Sequence, residues 1–266
     1  MDLTRKSRSE VKSREMSKEK VNKDQRIGTT EIGDPCFHLE IFDNLYRGNI
    51  IITKHLTNQL CGKLIENKEK VILHLTCTGY GGTKVEPFVP PYQDTYSQCM
   101  DLIKGGFPPK HIVLRIDPII PTEKGVKLAM NVMVQFSNCG IERLRVSFLD
   151  NYNHVKERFK EIGYPILYDG KFHESLERRK EIIDNIAKNA EKCGFKSVEC
   201  CGEPNMESIP CLSKKDLDIL GLNDIELVGS SSQRDACGCP SNKSELIRDM
   251  PKRCGHKCLY CYLKDK

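Results

Sequence analysis

The chain has 266 residues, of which 38% are hydrophobic and 30% are charged, and its net charge is +5. It contains no run of about 18 apolar residues, and its charged N-terminus has neither the apolar stretch nor the cleavage site of a secretory signal. We therefore expect a cytoplasmic protein without a membrane partner. In that reducing compartment, fourteen cysteines indicate metal or redox chemistry more than disulfides.

Residues 1–26 contain nine basic and five acidic side chains and account for +4 of the net charge. The segment has few apolar residues and is predicted to be a disordered tail, because it cannot bury enough surface to offset the entropy of ordering. The remaining chain is nearly neutral, which argues against a broad nucleic-acid-binding face. Phe37, Ile41, Phe42 and Leu45 then recur at helical spacing and predict a short amphipathic helix.

Short β-branched runs alternate with helix-like stretches from residue 49 onward. The predicted strands are Asn49–Thr53, Val71–Thr76, His111–Ile116, Leu144–Phe148 and Ser197–Cys201, with a further candidate at Ile225–Val228; the predicted helices are 55–66, 91–105, 123–138 and 173–193, with a short one near 213–220. This alternation is typical of βαβ units and a parallel sheet. The chain lacks a glycine-rich dinucleotide fingerprint, so we expect an α/β fold with a full or partial TIM-type (β/α) barrel.

The barrel body is predicted to span residues 27–200, and a Cys-rich part, residues 201–266, is expected to pack on the same domain. In such barrels the functional side chains lie at the C-terminal ends of the strands. Polar and charged residues follow each of the five predicted strands; they are Lys54, Thr78, Glu86, Arg115, Asp117, Asp150 and Glu203. Their recurrence at five strand ends predicts a binding site at this end of the barrel.

Three cysteines close to the C-terminus, Cys254, Cys258 and Cys261, have the spacing C-x-x-x-C-x-x-C. Three thiolates can bind three irons of a 4Fe–4S cluster and leave the fourth iron open to a ligand. The alternative is a zinc site, which needs a fourth ligand such as His256 or a distant cysteine. His256 lies between the cysteines in sequence, and its ring would reach the same tetrahedral ion only with strain.

The terminal pattern, with Tyr260 before the third cysteine, resembles the cluster-binding signature of the radical SAM superfamily. The segments TKH, TGYGGT followed by EP, and RIDPIIP resemble spore photoproduct lyase and related "DNA repair photolyase"-like proteins. The resemblance is strongest to an uncharacterised radical-SAM-like family with this motif at its C-terminus, and it covers roughly residues 48–266. In most of the superfamily the motif follows the first barrel strand, so the resemblance implies a circularly permuted barrel.

The resemblance implies a 4Fe–4S cluster on Cys254, Cys258 and Cys261, whose open iron would bind S-adenosylmethionine. Reductive cleavage of that molecule would yield a 5′-deoxyadenosyl radical, with electrons from an external donor such as a flavodoxin or ferredoxin. Tyr260 would lie against the adenine through its backbone. The substrate is not specified by the sequence, although the photolyase-like resemblance makes a nucleic acid one candidate.

Charge complementarity suggests further contacts to S-adenosylmethionine. A cationic Arg115 can pair with its carboxylate, and Glu86 or Thr78 can accept from its amino group or ribose. Asp117 and Lys54 are further candidates. Each of these residues has an alternative role in a salt bridge at the rim of the barrel.

Four other cysteines, Cys201, Cys211, Cys237 and Cys239, could form a second site, with Cys200 as an alternative to Cys201. Four thiolates make a closed site, suited to electron transfer or structural support. The related family has cysteines in similar contexts, which favours an auxiliary 4Fe–4S cluster; a structural zinc ion is the alternative.

The predicted function is that of a radical SAM enzyme with an unknown substrate. The alternative is a zinc- or cluster-stabilised nucleic-acid-binding module without catalysis. That alternative would require the basic tail for binding, and Tyr260 and Tyr262 offer only one possible stacking element.

Overall fold

The computed structural model describes residues 22–164, 166, 172–229, 236–248 and 254–262 of the chain. Its centre is a sheet of seven strands, all parallel where they pair. The strands are β1 (Ile27–Thr29), β2 (Asn49–Thr53), β3 (Val71–Thr76), β4 (Ile112–Ile119), β5 (Arg143–Phe148), β6 (Ser197–Cys200) and β7 (Lys243–Glu245).

The order across the sheet is β6-β5-β4-β3-β2-β1-β7. Strands β1 to β6 thus lie side by side in chain order without the reversal that defines a doubly wound sheet. The last strand, β7, pairs with β1 through Ile27 and Lys243 instead of with its predecessor in the chain. Within the described residues, β6 and β7 therefore form the two edges of the sheet.

In the part of the chain that the structure describes, six α-helices accompany the strands: α1 (Asn58–Glu66), α2 (Tyr92–Lys104), α3 (Glu123–Gln135), α4 (Asn153–Glu161), α5 (Leu176–Ala190) and α6 (Lys214–Ile219). Polar side chains cap several N-termini; for example, the hydroxyl groups of Thr57 and Thr122 accept hydrogen bonds from the first turns of α1 and α3. The helices α1, α2, α3 and α5 contribute their buried apolar side chains to the same core as Leu73, Leu114 and Leu144 of the sheet. These four helices therefore share one face of the sheet.

The opposite face of the sheet packs against α6 and the residues that follow it. Ile50, Ile72 and Val113 form a second apolar cluster with Leu212 and Leu217. The alternation between the two clusters follows from the two-residue period of a strand, which places successive side chains on opposite faces. On this second face the apolar cluster is continued by buried charged residues.

The charged layer is a fully buried ion-pair network. Arg143 donates to Glu199 at 2.9 Å and to Asp216 at 2.7 Å, and Arg145 donates to the same Glu199 carboxylate. Burial raises the pKa of Glu199, but the two arginines outweigh it and lower the pKa to about 2. Because these side chains come from β5, β6 and α6, the network fixes α6 against the sheet.

Several sequence predictions differ from the structure. The candidate strand at Ile225–Val228 is wrong: its backbone N–H groups bond to side chains, Glu226 to Gln25 and Val228 to Asn242. The helix predicted around Phe37 is replaced by two 3-10 turns, Pro35–Phe37 and Leu39–Asn44. The strands β1 and β7 and the helix α4 were not predicted.

Most of the predicted tail, residues 1–21, lies outside the described residues. Residues 22–26 have defined contacts: Lys23–Gln25 form a 3-10 turn, and the carbonyl of Gln25 accepts from Asn242 at 2.7 Å. No helix in the described ranges is both long enough and apolar enough to span a bilayer.

Candidate metal centre and cofactor cavity

A cavity of about 310 Å³ lies at the C-terminal ends of the parallel strands. Its walls come from the end of nearly every strand and from both sets of cysteines that the sequence singled out. The lining includes Glu31, Thr53, Lys54, Thr76, Arg115, Asp117, Ser147, Asp150, Cys201, Cys211, Cys237, Cys254, Cys258, Tyr260 and Cys261. The predicted strand-end site and the two cysteine sets therefore meet in one place.

The terminal cysteine segment folds over this cavity and is fixed by backbone contacts. Leu259 donates its N–H to the carbonyl of Val85 at 2.9 Å, and Arg158 donates to the carbonyls of Leu259 and Cys261 at 3.0 and 2.9 Å. Burial raises the pKa of Cys254 to about 11 and that of Cys258 to about 12. With these pKa values the thiols hold their protons at neutral pH, so a metal could bind them only with release of those protons.

His256 lies inside the same segment, but its ring faces two oxygen acceptors. Its Nδ1 lies 3.1 Å from the carbonyl of Phe88 and its Nε2 lies 2.9 Å from Oδ2 of Asp34. A carbonyl and a carboxylate can only accept, so both contacts are hydrogen bonds when both ring nitrogens carry hydrogen. Both ring nitrogens are thus directed at acceptor oxygens within the protein, which disfavours His256 as the fourth zinc ligand.

Asp34 is the centre of this contact. Its carboxylate accepts from Oγ1 of Thr53 at 2.6 Å, from the N–H of Lys54 at 2.8 Å and from the N–H of Cys36 at 3.0 Å, in addition to His256. Burial raises the pKa of Asp34, but the hydrogen bond and charge of His256 outweigh it and the net effect is a lowered pKa. The ligand atoms of Asp34, Cys36 and His256 lie close enough to suggest a metal site, yet these hydrogen bonds already account for the carboxylate and the ring.

A second buried carboxylate, Glu86, holds the terminal segment from the other side. It has no exposed surface, and it accepts from Lys54 at 2.9 Å, from Thr78 at 2.6 Å and from the phenol of Tyr260. Burial lowers the pKa of Lys54, but Glu86 and then Cys258 raise it by a larger amount, so Lys54 stays a cation beside that thiol. Glu86 and Thr78, predicted to contact a cofactor, are not among the residues that line the cavity. Thr78 donates to Glu86, and Glu86 accepts from Tyr260 and Lys54.

Arg115 and Asp117 line the cavity and pair with each other. The Nε atom of Arg115 is buried without a hydrogen-bond partner among the described residues. Burial lowers the pKa of Arg115, but Asp117 and then Cys211 and Cys201 outweigh it, so the guanidinium remains charged. A buried cation with an unused donor is suited to an anionic ligand group.

The second cysteine set forms a compact group. Sγ of Cys201 lies 3.5 Å from Sγ of Cys211, and the two sulfurs of Cys237 and Cys239 are 2.9 Å apart. The pKa of Cys211 is lowered well below its usual value because the thiols of Cys201, Cys237 and Cys239 donate to it. Of the two consecutive cysteines that were alternatives for this site, Cys201 belongs to the group and Cys200 does not.

The contacts of two buried carboxylates, Asp34 and Glu203, were not predicted from the sequence. Asp34 and His256 are separated by 222 residues, and neither has a local pattern that reveals the partner. Glu203, noted only as a polar strand end, accepts from the N–H of Phe148 at 2.7 Å and from Arg179 at 2.8 Å. The signal for Glu203 was its position just after a strand, where a buried carboxylate needs donors.

The fold and the site define an all-parallel α/β protein with a cysteine-rich cavity at the strand ends. The chain belongs to the family described as "Domain of unknown function (DUF1848)", whose model matches residues 47–263. No curated protein and no solved structure matches the chain. Because the family description names no activity, the function must be argued from the site.

Proposed function

We propose that the protein is a radical SAM enzyme that binds a 4Fe–4S cluster through Cys254, Cys258 and Cys261. The main observation in support is that all three thiols line the same cavity as the charged residues of the strand ends. A cofactor bound in this cavity could contact both the thiols and Arg115.

The strand order supports a (β/α) barrel opened at one seam. Six strands lie side by side in chain order, and four helices share one face, as they do around a barrel. The terminal motif follows β7, and β7 lies beside β1. If the ring is permuted, β7 takes the place of the first strand in the superfamily, and the cluster motif again follows that strand.

The spacing of the thiols supports a cluster over a single ion at the terminal motif. In a 4Fe–4S cluster each cysteine binds a different iron, so the sulfurs stay well apart. Around one zinc ion they would lie about 3.8 Å apart, given Zn–S bonds of about 2.3 Å. Among the described residues, the close-packed ligand groups do not include Cys254, Cys258 and Cys261 together.

The remaining cavity residues fit a zwitterionic cofactor. Arg115, with its unpartnered Nε, can bind the carboxylate of S-adenosylmethionine, and Asp117 can accept from the amino group. The cavity volume of about 310 Å³ lies at the lower end of the range for small-molecule sites. When bound, the reduced cluster supplies the electron for cleavage of the sulfonium.

The chain's own residues would prepare the site for this chemistry. Lys54 lies close to Cys258, where its positive charge stabilises the thiolate that a metal requires. Glu86 keeps Lys54 charged and holds the ring of Tyr260, over which the ammonium lies at 5.3 Å. The arrangement fixes both the ligand and its counter-charge before any cofactor binds.

The proposal is tested by reconstituting the protein anaerobically with iron and sulfide and measuring 5′-deoxyadenosine after addition of S-adenosylmethionine and dithionite. We expect reductant-dependent product in the wild type, and a loss of at least about 100-fold in Cys258→Ala, because one cluster ligand is removed. Cys61→Ala is the matched control, since Cys61 is a half-buried thiol on α1 away from the cavity. A wild-type protein with an intact, reduced cluster and no product would refute the proposal.

A further inference from the structure

The four thiols of Cys201, Cys211, Cys237 and Cys239 converge on one point. The sulfurs of Cys201, Cys211 and Cys237 all lie within 4.8 Å of one another, and Cys239 lies within the same distance of Cys211. The separations of 3.5 and 2.9 Å are both too long for a covalent bond, since a disulfide would be about 2.05 Å long. All four cysteines are free thiols.

These separations match one metal ion better than a cluster. Four thiolates around a tetrahedral ion with bonds of about 2.3 Å place their sulfurs about 3.8 Å apart. A cubane cluster binds each thiolate to a different iron and separates the sulfurs much further. The group in this structure would have to expand to accept a cubane, whereas the contacts of Cys201 with Cys211 and of Cys237 with Cys239 lie within about 1 Å of the separation that a single ion requires.

The position of the group explains what such an ion would do for the fold. Cys201 directly follows the edge strand β6, and Cys239 precedes the opposite edge strand β7 by a few residues. Strands β6 and β7 do not pair with each other in the described residues. An ion bound by these thiols would join the chain leaving one edge of the sheet to the chain entering the other.

The surroundings supply charge for a tetrathiolate, which carries two net negative charges around a divalent ion. Arg115, Arg145 and Lys243 all lie close enough to Cys211 for electrostatic interaction, and Arg145 donates to the backbone carbonyl of Cys211 at 3.2 Å. The carboxylate of Glu31 also approaches Cys211, but it is paired with Lys243. Thiolates are therefore the ligands that this pocket favours.

We propose that Cys201, Cys211, Cys237 and Cys239 bind a single tetrahedral divalent ion, zinc or iron, that closes the seam between β6 and β7. Tetrahedral coordination by four sulfurs is typical of both metals. The inference concerns the structure of the chain and does not depend on S-adenosylmethionine chemistry. It favours the zinc alternative over the auxiliary cluster predicted from the sequence.

The test begins with a variant that lacks the terminal site, Cys254→Ala/Cys258→Ala/Cys261→Ala. Metal and acid-labile sulfide are quantified in this variant and in the same background with Cys211→Ala or, as a matched control, Cys200→Ala, a buried thiol outside the group. We expect one zinc or iron per chain without sulfide in the triple variant and the control, and loss of that metal with Cys211→Ala. Zinc and iron are distinguished by elemental analysis and by the visible absorption of ferric tetrathiolate.

A second measurement on the full-length wild type covers the case in which Cys211→Ala does not fold. Cobalt is substituted for the native metal, and cysteine alkylation is mapped by mass spectrometry with and without a chelator. We expect the intense visible absorption of tetrahedral cobalt thiolate and chelator-dependent alkylation of all four cysteines. Each of three results would overturn the proposal: about four irons with matching sulfide in the triple variant, no bound metal, or a Cys237–Cys239 disulfide. None of them would decide the activity proposed at the terminal motif, which has its own test.

Discussion

The pair formed by Asp34 and His256 is expected to decide whether the terminal cysteine segment stays in place. His256 lies between Cys254 and Cys258 in sequence, and its ring is buried against Asp34 with Nε2 2.9 Å from Oδ2. We therefore consider Asp34→Asn, which keeps the size and shape of the side chain but removes its charge and one acceptor atom.

The magnitude follows from the contacts of the two carboxylate oxygens. Oδ1 accepts from Thr53 and Cys36, and Oδ2 accepts from Lys54 and His256. An asparagine presents an NH₂ group at one of these positions, so two donors lose their acceptor whichever way the amide is turned. An unsatisfied buried donor costs about 1–3 kcal/mol, and removing one partner of a buried ion pair costs about 3–5 kcal/mol. We expect the free energy of unfolding to fall by about 4 kcal/mol.

The assay is urea unfolding followed by far-UV circular dichroism, with iron content after anaerobic reconstitution as a second readout. The matched control is Asp224→Asn, which removes an acidic partner from the exposed pair with Arg47 and should change stability far less. A His256→Gln substitution in the Asp34→Asn background should recover part of the loss, because it removes the ring whose Nε2 has lost its acceptor. An Asp34→Asn variant as stable as the wild type would refute the buried ion pair.

The same pair has a pH signature with a defined sign. Because the folded-state pKa of Asp34 is lowered from its usual 3.8, its stabilisation is present above about pH 4 and is lost as the pH falls through the folded-state value. The difference in unfolding free energy between wild type and Asp34→Asn should therefore be largest above pH 4 and shrink below it. A difference that grows on acidification would contradict this assignment.

Two further substitutions test other buried groups. Glu86→Gln removes the charge that holds Lys54 and Tyr260. In urea titrations it should lower the free energy of unfolding by about 3 kcal/mol, and it should also lower the iron content after reconstitution. Unchanged stability would show that Glu86 does not fix the terminal segment. His74 has no exposed surface, and neither of its ring nitrogens has a hydrogen-bond partner among the described residues. Burial, followed by the charge of Arg145, lowers its pKa well below 6.5. The free energy of unfolding of the wild type should therefore fall by up to about 1.4 kcal/mol per pH unit below pH 6.5, and His74→Phe should lack this contribution. If urea or thermal unfolding between pH 5 and 7 gave the same pH dependence for both proteins, the assignment would be wrong.

The central strands were predictable because their signal is local. The runs Asn49–Thr53 and Val71–Thr76 are rich in β-branched residues and match the observed strands at both ends. The edge strands had no such signal: β1 is Ile-Gly-Thr and β7 is Lys-Ser-Glu. Three-residue strands of this composition form only because a neighbouring strand supplies their hydrogen bonds, which depends on the tertiary fold.

The same distinction applies to the helices. The sequence predicted α5 from apolar residues that recur over four turns, while α4 has only Val155 and Phe159 as buried anchors in nine residues. Two apolar residues four positions apart are too few to identify a helix in a polar stretch. The helix exists because these two side chains pack in one cluster with Val85 and Leu259, which are distant in the chain.

The candidate site was predictable as a set of residue types, while its internal contacts were not. The sequence singled out both thiol sets and Arg115 as candidate ligands, and Arg115 and all of these cysteines except Cys239 line the cavity. Glu86 was predicted to contact a cofactor, but its buried carboxylate accepts hydrogen bonds from Thr78 and Tyr260 and does not line the cavity. Sequence patterns identify which groups can bind a metal or an anion, but burial decides which of them remain available to do so.

The placement of both thiol sets at the seam of the sheet has a consequence for how the site is assembled. The second set lies between β6 and β7, and the terminal set follows β7, which is only three residues long and pairs with β1. If a metal ion joins the two edges, it also fixes the segment from which the terminal motif extends. Binding of the ion should therefore precede and favour binding of the cluster, and depletion of the ion should lower the cluster content even though every terminal ligand is intact.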